Sequence, residues 1–445
     1  MAKLFGTDGV RGTANTVLSP LLAVQLGSAS AYVLRQKHEG AKMLIGRDSR
    51  ISGDILESAM AAGICSLGVD AFLTNIVPTP CVAFLTRHMQ ADAGIVISAS
   101  HNPMADNGIK FFGADGYKLQ DEIEAEIEEQ VANFDNLPRP EGAGVGRMYR
   151  AHNLVEVYLE HLKTIPSHSL AGVEIVLDCA NGAVYELAPR LFSELGAKVL
   201  AINNDPDGTN INLNSGSLYP QALQALVVEE GAQLGLAFDG DGDRAILVDE
   251  NGKLVDGDHV LAICGLDLAR KNRLPGNAVV STVMSNIGLE IALGRENVRL
   301  VRTQVGDRYV SDEMRKSGII LGGEKSGHVI FSDHSTTGDG MVTALQVLGI
   351  MLESDKSLSE LAGQMEEFPQ LLVSVPVRNK SGWEKVPEIK SVIESAEKRL
   401  ANKGRVLVRA SGTERLIRVM AEGPDQAEVE EIVGEICTIV KGRLG

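Results

Sequence analysis

Aromatic residues are scarce in this chain of 445 residues: they make up 4%, with a single tryptophan. So few ring faces argue against a surface that stacks nucleic-acid bases. Excess positive charge is missing too. The 42 Lys and Arg are outnumbered by 59 Asp and Glu, for a formal charge of −17. A nucleic-acid or anionic-membrane binder would carry a basic face, so neither partner is expected. A small anionic substrate stays open, provided the groups that hold it are local. The five cysteines (Cys65, Cys81, Cys179, Cys264 and Cys437) contain no C-x-x-C pair. An odd, dispersed set reads as buried free thiols in a reducing compartment. No apolar run approaches the roughly 18 residues of a membrane span. Thr7 and Asp8 interrupt the N-terminal stretch before any apolar core, unlike a signal peptide. These absences describe a cytoplasmic globular protein. What is present is a hydrophobic content of 44%, ample for several packed cores. At roughly 150 residues per domain the length suggests about three domains.

One supersecondary pattern recurs. Met43–Asp48, Val173–Asp178 and Ala278–Val283 each read as a short β-branched or apolar strand. An amphipathic helical stretch follows each, over Gly53–Gly68, about Ala183–Gly196 and from about Ile287. A second strand closes each unit, at Val69–Thr74, Ala197–Ile202 and Val298–Thr303. Alternating strands and helices predict three related α/β domains with parallel or mixed sheets. After Pro369 the pattern changes to strand, charged helix, two strands and a last helix, a smaller α+β domain. Boundaries at 1–153, 154–255, 256–368 and 369–445 are expected, with linkers around Asp135–Arg147, Asn251–Asp258 and Pro369.

Five loops could carry chemistry. Ser98-Ala-Ser-His-Asn-Pro103 follows the apolar strand Ala93–Ile97, at the end of a strand where α/β sheets place their sites. Ser100, next to His101 in an exposed turn, suits a nucleophile or phosphoryl carrier. On spacing alone the loop reads equally as a turn that caps a helix. Lys110 returns an ammonium towards the same region, or is a solvated surface lysine. In Asp239-Gly-Asp-Gly-Asp243 three carboxylates stand at i, i+2 and i+4. They repel unless a cation lies between them, and all-oxygen ligation suits Mg²⁺ or Ca²⁺. The spacing of Asp239 and Glu250 imitates an EF-hand, but Arg244 occupies the position that needs glycine and the flanks are strand-like. A solvated acidic turn is the alternative.

Gly322-Gly-Glu-Lys-Ser-Gly-His328 offers Glu324, Ser326 and His328 at alternate positions, suited to vicinal sugar hydroxyls or to a plain polar hairpin. In the tail, Arg409, Ser411, Gly412, Thr413 and Arg418 combine hydroxyls, backbone N–H groups and guanidinium groups. That set suits a phosphate, or else a turn with salt-bridged arginines. Arg11 lies between glycines near the start and says little alone. Arg308, in Gly306-Asp307-Arg308, is a further candidate contact with substrate. Together the loops fit phosphoryl transfer on a phosphosugar.

These residues in this order resemble the α-D-phosphohexomutase superfamily. Phe5-Gly-Thr-Asp-Gly-Val-Arg-Gly12, Arg409-Ala-Ser-Gly-Thr-Glu414 and Thr336-Thr-Gly-Asp-Gly-Met341 carry the likeness, which runs from about residue 4 to 423. The resemblance implies a four-domain, heart-shaped arrangement around a central cleft. It implies that Ser100 is a phosphoserine, and that Asp239, Asp241 and Asp243 bind Mg²⁺ together with an oxygen of that group. It implies that Glu324 and Ser326 grip sugar hydroxyls. The tail residues Arg409, Ser411, Gly412, Thr413 and Arg418 would hold the phosphate that is not transferred. Arg11, His101 and Lys110 match positions at the transfer site, and Arg308 and His328 join the substrate-binding set. The implied reaction interconverts glucosamine 6-phosphate and glucosamine 1-phosphate through a 1,6-bisphosphate and feeds cell-wall precursor synthesis. A glucosamine or glucose 1,6-bisphosphate activator and a homodimer are implied as well. Glucose or mannose phosphate mutation is the near alternative; a phosphosugar phosphatase and a phosphosugar sensor are the more distant ones. Two positions depart from the pattern: Arg415, where proline is usual, and Lys325, where glutamine is common.

Overall fold

The computed structural model describes residues 4–6, 8–35, 40–411 and 414–445. The chain divides into two compact units, Met1–Val283 with Val301–Gly363, and Met284–Leu300 with Gln364–Gly445.

The larger unit is built on three mixed sheets. The first contains β1 (Val10–Thr13), β2 (Lys42–Arg47), β3 (Asp70–Ile76), β4 (Ala93–Ile97), β5 (Asp106–Gly113) and β6 (Met148–Arg150), in the order β1-β5-β4-β2-β3-β6. β2 runs parallel to β3 and β4, whereas β5 is antiparallel to β1 and β4. All five residues of β4 are buried, as a sheet covered on both faces requires of its central strands. Leu26, Ile45, Ile64, Ile95 and Ile97 are fully buried in this core. Each contributes about 1.5–3 kcal/mol relative to an exposed side chain. Ser19 caps the helix Pro20–Leu34 by accepting from the Leu22 N–H, and proline stands in its first turn. A Cβ on Gly27 would lie 2.5 Å from the Met60 carbonyl oxygen, so glycine is what lets this helix lie against Ser52–Cys65.

The second sheet contains β7 (Glu174–Asp178), β8 (Lys198–Ile202), β9 (Leu234–Phe238), β10 (Ala245–Asp249) and β11 (Leu254–Val255), ordered β11-β10-β9-β7-β8. The third contains β12 (Ala278–Thr282), β13 (Arg299–Thr303), β14 (Leu321–Gly323) and β15 (Val329–Phe331), ordered β13-β12-β14-β15. The three recurrent units therefore appear where the pattern puts them. Two details differ. The helix expected from Ala183 begins at Leu187, and residues 183–186 form turns tied to the aspartate loop where the Ala183 N–H donates to the Gly240 carbonyl at 2.8 Å. The expected linker Asn251–Asp258 is ordered: it contains β11 and the start of the helix Gly257–Arg270, capped where Asp256 accepts from the His259 N–H.

In the smaller unit, β16 (Gln370–Pro376), β17 (Arg405–Ala410) and β18 (Leu416–Glu422) form an antiparallel sheet ordered β16-β18-β17. The helices Pro387–Leu400 and Gln426–Leu444 bury Ile389, Ile432 and Ile436 with Ile417 and Val419 of β18. The charged helix expected from Trp383 starts at Pro387; Trp383–Lys385 is a separate 3-10 turn, and proline suits the first helical position. Four cysteines are buried free thiols as expected, while Cys437 is only half-buried.

Candidate active site

Three strands of the larger unit end in the loops singled out by sequence. β4 leads into Ser98–His101, β9 into Asp239–Arg244 and β14 into Glu324–His328. Ser100 has a left-handed backbone, φ +52°. For a non-glycine residue that costs of order 1–3 kcal/mol and persists only where the surroundings enforce it. The Ser100 N–H donates to Ser98 Oγ at 2.9 Å, and Asn212 Nδ2 donates to its carbonyl at 2.9 Å. Ser100 Oγ donates to Asp239 Oδ2 at 2.5 Å, and His101 Nδ1 lies 3.3 Å from the same hydroxyl. The serine is not exposed as expected: only 1% of it is accessible. The Asp239–Arg244 turn folds over it, with Gly240 against its carbonyl oxygen.

Asp239, Asp241 and Asp243 are buried, and one carboxylate oxygen from each lies within 4.8 Å of the others. Their remaining oxygens are occupied. Asp241 Oδ2 accepts from Thr79 Oγ1 at 2.6 Å and from Lys110 Nζ at 2.7 Å. Asp239 Oδ1 accepts from the Arg244 N–H at 3.1 Å. Among the described residues, Asp241 Oδ1 and Asp243 Oδ1 are buried with no donor. Buried carboxylate oxygens without hydrogen bonds, in three acids gathered this closely, fit a hard divalent cation. Burial, with Asp243 and Asp241 nearby, pushes the Asp239 carboxyl well up. Burial alone would raise Asp243 too, but His328, Lys110 and Arg244 outweigh it and hold that carboxyl below the usual range.

The basic groups are part of the same cluster. Lys110 is 1% accessible and lies 3.3 Å from Asp8 and 3.8 Å from Asp243 as well as beside Asp241. Burial opposes its charge, yet Asp241, Asp8 and Asp243 keep the ammonium protonated, its pKa above the ordinary value. A surface lysine is thereby ruled out. Arg11 pairs with Asp8 and reaches the Ala99 carbonyl at 3.4 Å. Burial and the charges of Arg244 and Arg11 push His101 down to about 4, so it is neutral at pH 7. Arg244 Nη1 donates to His101 Nδ1 at 3.0 Å, which leaves the proton on Nε2. Asp8, Thr79 and Arg244 were missed by sequence reasoning. Only Arg244, adjoining the third aspartate, carried a local signal.

The Glu324–His328 loop abuts the aspartates, with the Ala245 N–H donating to the Gly327 carbonyl at 3.2 Å. His328 is buried, its Nδ1 3.5 Å from Asp243. The Gly338 N–H donates to His328 Nε2 at 3.1 Å, so Nδ1 carries the proton. Glu324 is half-buried and accepts from the Gly306 N–H, while Ser326 is exposed. Arg308 is not part of the cluster: its guanidinium is committed to Asp121, Glu124 and the Leu119 carbonyl.

In the smaller unit, Arg409 and Arg418 are directly opposed partners on β17 and β18. Burial and the charge of Arg418 together lower the Arg409 pKa. Like charges placed opposite one another destabilise a sheet, and the Nε of each is buried with no acceptor among the described residues. Ser411, 3% accessible, accepts the Glu414 N–H at its Oγ, and Lys380 donates to its carbonyl at 2.6 Å. Two opposed guanidinium groups beside a buried hydroxyl suit an anion such as phosphate. Gly412 and Thr413 lie outside the described residues.

The chain matches the four family models of phosphoglucomutase/phosphomannomutase: alpha/beta/alpha domain I over residues 2–137, domain II over 156–252, domain III over 256–368 and the C-terminal domain over 372–439. It belongs to the phosphoglucomutase/phosphomannomutase family. It is 53% identical to the phosphoglucosamine mutase of Pelotomaculum thermopropionicum over 442 residues, 99% of either chain. It is also 53% identical to the phosphoglucosamine mutase of Moorella thermoacetica over 443 residues, covering 99% of this chain and 100% of that protein. Its fold is similar to that of a phosphoglucomutase/phosphomannomutase family protein from Burkholderia thailandensis, with a TM-score of 0.83 at 24% identity over 99% of this chain and 97% of the other.

Proposed function

We propose that the protein is a phosphosugar mutase that interconverts glucosamine 6-phosphate and glucosamine 1-phosphate. The observation that carries this reading is the Ser100 hydroxyl, bonded to Asp239 beside two further buried carboxylates. Relatives of the same length at 53% identity that bear the name phosphoglucosamine mutase support the amino sugar as substrate.

In the forward direction the P–O bond of phospho-Ser100 breaks and a P–O bond to the sugar C1 oxygen forms. The proton leaving that hydroxyl passes to a neighbouring base, one proton is delivered to the departing Ser100 oxygen, and the restored hydroxyl donates to Asp239 again. After the 1,6-bisphosphate turns around, the same exchange in reverse moves the 6-phosphoryl group to Ser100 and releases glucosamine 1-phosphate. Lys110 beside Asp241, Arg11 at the Ala99 carbonyl and Arg244 beside His101 supply positive charge around the transfer, and neutral His101 holds the Arg244 guanidinium next to the Ser100 hydroxyl. Asp239, Asp241 and Asp243, with an oxygen carried on Ser100, would hold Mg²⁺. Neutralising the charge of the moving phosphoryl group is the chemistry supplied there. Glu324 and Ser326 would bond sugar hydroxyls. Arg409, Ser411 and Arg418, with Gly412 and Thr413, would bind a phosphate of the sugar. Arg308, tied to Asp121 and Glu124, would act on substrate only by giving up those partners.

The setting of this reaction is the cytoplasm, with a phosphosugar as partner and a hexose 1,6-bisphosphate as activator able to rephosphorylate Ser100. Among the described residues no helix is long and apolar enough to cross a membrane. The test is Ser100→Ala, assayed on glucosamine 6-phosphate and glucose 6-phosphate with intact-mass detection of bound phosphate. Loss of both turnover and the added phosphate is expected. A variant that still interconverts the two sugar phosphates ends the covalent scheme. Faster wild-type turnover of the glucose ester reassigns the substrate.

A further inference from the structure

We propose that Arg50 is a positioning residue for phosphoryl transfer: its guanidinium fixes the backbone of residues 100–106 so that Ser100 Oγ is aimed at the three aspartates. The inference rests on the reading of Ser100 as the phosphoryl carrier.

Arg50 is 0% accessible, unusual for an arginine, a residue type almost never fully buried unless paired. A guanidinium has five N–H donors in a rigid fork. Here all five have acceptors. Nε donates to Asp48 Oδ2 at 2.9 Å. Nη2 donates to the Ser100 carbonyl at 3.0 Å and to the Asn102 carbonyl at 2.8 Å. Nη1 donates to the Asp106 carbonyl at 3.1 Å and to the Pro103 carbonyl. One donor therefore meets a carboxylate that balances the charge, and four meet carbonyls of the single loop that carries the serine.

The network also reaches the other side of Ser100. Asp48 Oδ2 accepts from Ser98 Oγ at 2.6 Å, and Ser98 Oγ in turn accepts the Ser100 N–H. Both backbone polar groups of Ser100 are thus tied to the Asp48–Arg50 pair, directly or through one hydroxyl. Asn212 supplements it from the loop after β8, donating to the Ser100 and Asn102 carbonyls at 2.9 and 3.0 Å. A left-handed serine needs such enforcement, because released backbone would relax to an ordinary conformation and swing Oγ away. Lysine keeps the charge of Arg50 but has three donors on a point-like head, so it cannot span four carbonyls and a carboxylate.

The test is Arg50→Lys, with Asn212→Ala and Ser100→Ala prepared beside it. Arg50→Lys is expected to fold, to bind Mg²⁺ as the wild type does by calorimetry, and to keep KM for glucosamine 6-phosphate within about threefold. Its kcat should fall about 100-fold, the scale of a misplaced reacting group. Asn212→Ala should show the same split with a loss of about tenfold in kcat. A purely structural role would instead lower the amount of active enzyme while the phosphorylatable fraction, counted by intact mass, kept its full kcat. A folded Arg50→Lys enzyme with kcat within about threefold of wild type overturns the proposal. If Arg50→Lys fails to fold, Asn212→Ala decides, and an unchanged kcat there overturns it equally. Turnover by Ser100→Ala would sink the mutase reading itself, whatever the lysine variant does.

Discussion

Thr79 holds Asp241 at two points: its Oγ1 donates to Asp241 Oδ2 at 2.6 Å, and its N–H donates to the Asp241 carbonyl at 2.9 Å. The hydroxyl commits one carboxylate oxygen, while the other, Oδ1, is buried without a hydrogen bond among the described residues. Partners of this kind set the orientation of a metal ligand and its affinity. Thr79→Val keeps the shape of the side chain and removes the donor. Mg²⁺ affinity by calorimetric titration should drop about 10–100-fold. An unchanged titration would mean that Thr79 serves packing alone.

The opposed pair Arg409 and Arg418 predicts a separation between stability and binding. Inorganic phosphate or glucosamine 6-phosphate should raise the wild-type Tm by linkage. Arg418→Ala should abolish that shift. Without ligand the variant should be within about 0.5 kcal/mol of wild type, since a repulsive neighbour has been removed. A full ligand-induced shift in the variant would assign phosphate binding elsewhere.

Asp339 caps the helix Gly340–Ser354, accepting from the Met341 and Val342 N–H groups, and also accepts from the Tyr158 hydroxyl at 2.6 Å. Burial nonetheless raises its carboxyl to about 6. The native state therefore keeps a proton that the unfolded chain has already lost between about pH 4 and 6, so stability falls as pH rises through that window. Asp339→Asn removes this slope. Urea melts of the two proteins should show the variant gaining about 2 kcal/mol relative to wild type from pH 4.5 to 7.5. A constant difference across that range would show that Asp339 titrates normally.

Gly240 tests how tightly the aspartate turn must seat against the serine loop. A Cβ there would lie 2.5 Å from the Ser100 carbonyl oxygen and 2.9 Å from Asn212 Nδ2. Gly240→Ala should cost about 1–3 kcal/mol of stability by overpacking and should depress kcat. Wild-type values of both would mean that the loops yield without consequence.

Much of the site was legible from sequence because its chemistry is local. Three aspartates at alternate positions advertise a cation without any knowledge of the fold, and strands ending in glycine-rich polar loops say where such chemistry sits. Arg50, Asp48 and Thr79 were illegible for the opposite reason. Arg50 acts on backbone carbonyls some fifty positions away, and Thr79 on a carboxylate 162 positions away. Nothing in a short window distinguishes such an arginine from a solvated one. Ser100 was expected in an exposed turn but is buried beside Asp239, since its cover comes from the Asp239–Arg244 turn, distant in sequence.

Lys110 Nζ sits 2.7 Å from one member of the aspartate cluster and 3.8 Å from another. The protein thus carries an internal counter-ion for its own acids. Chelating agents should accordingly leave a folded but idle molecule, with magnesium governing turnover and not architecture.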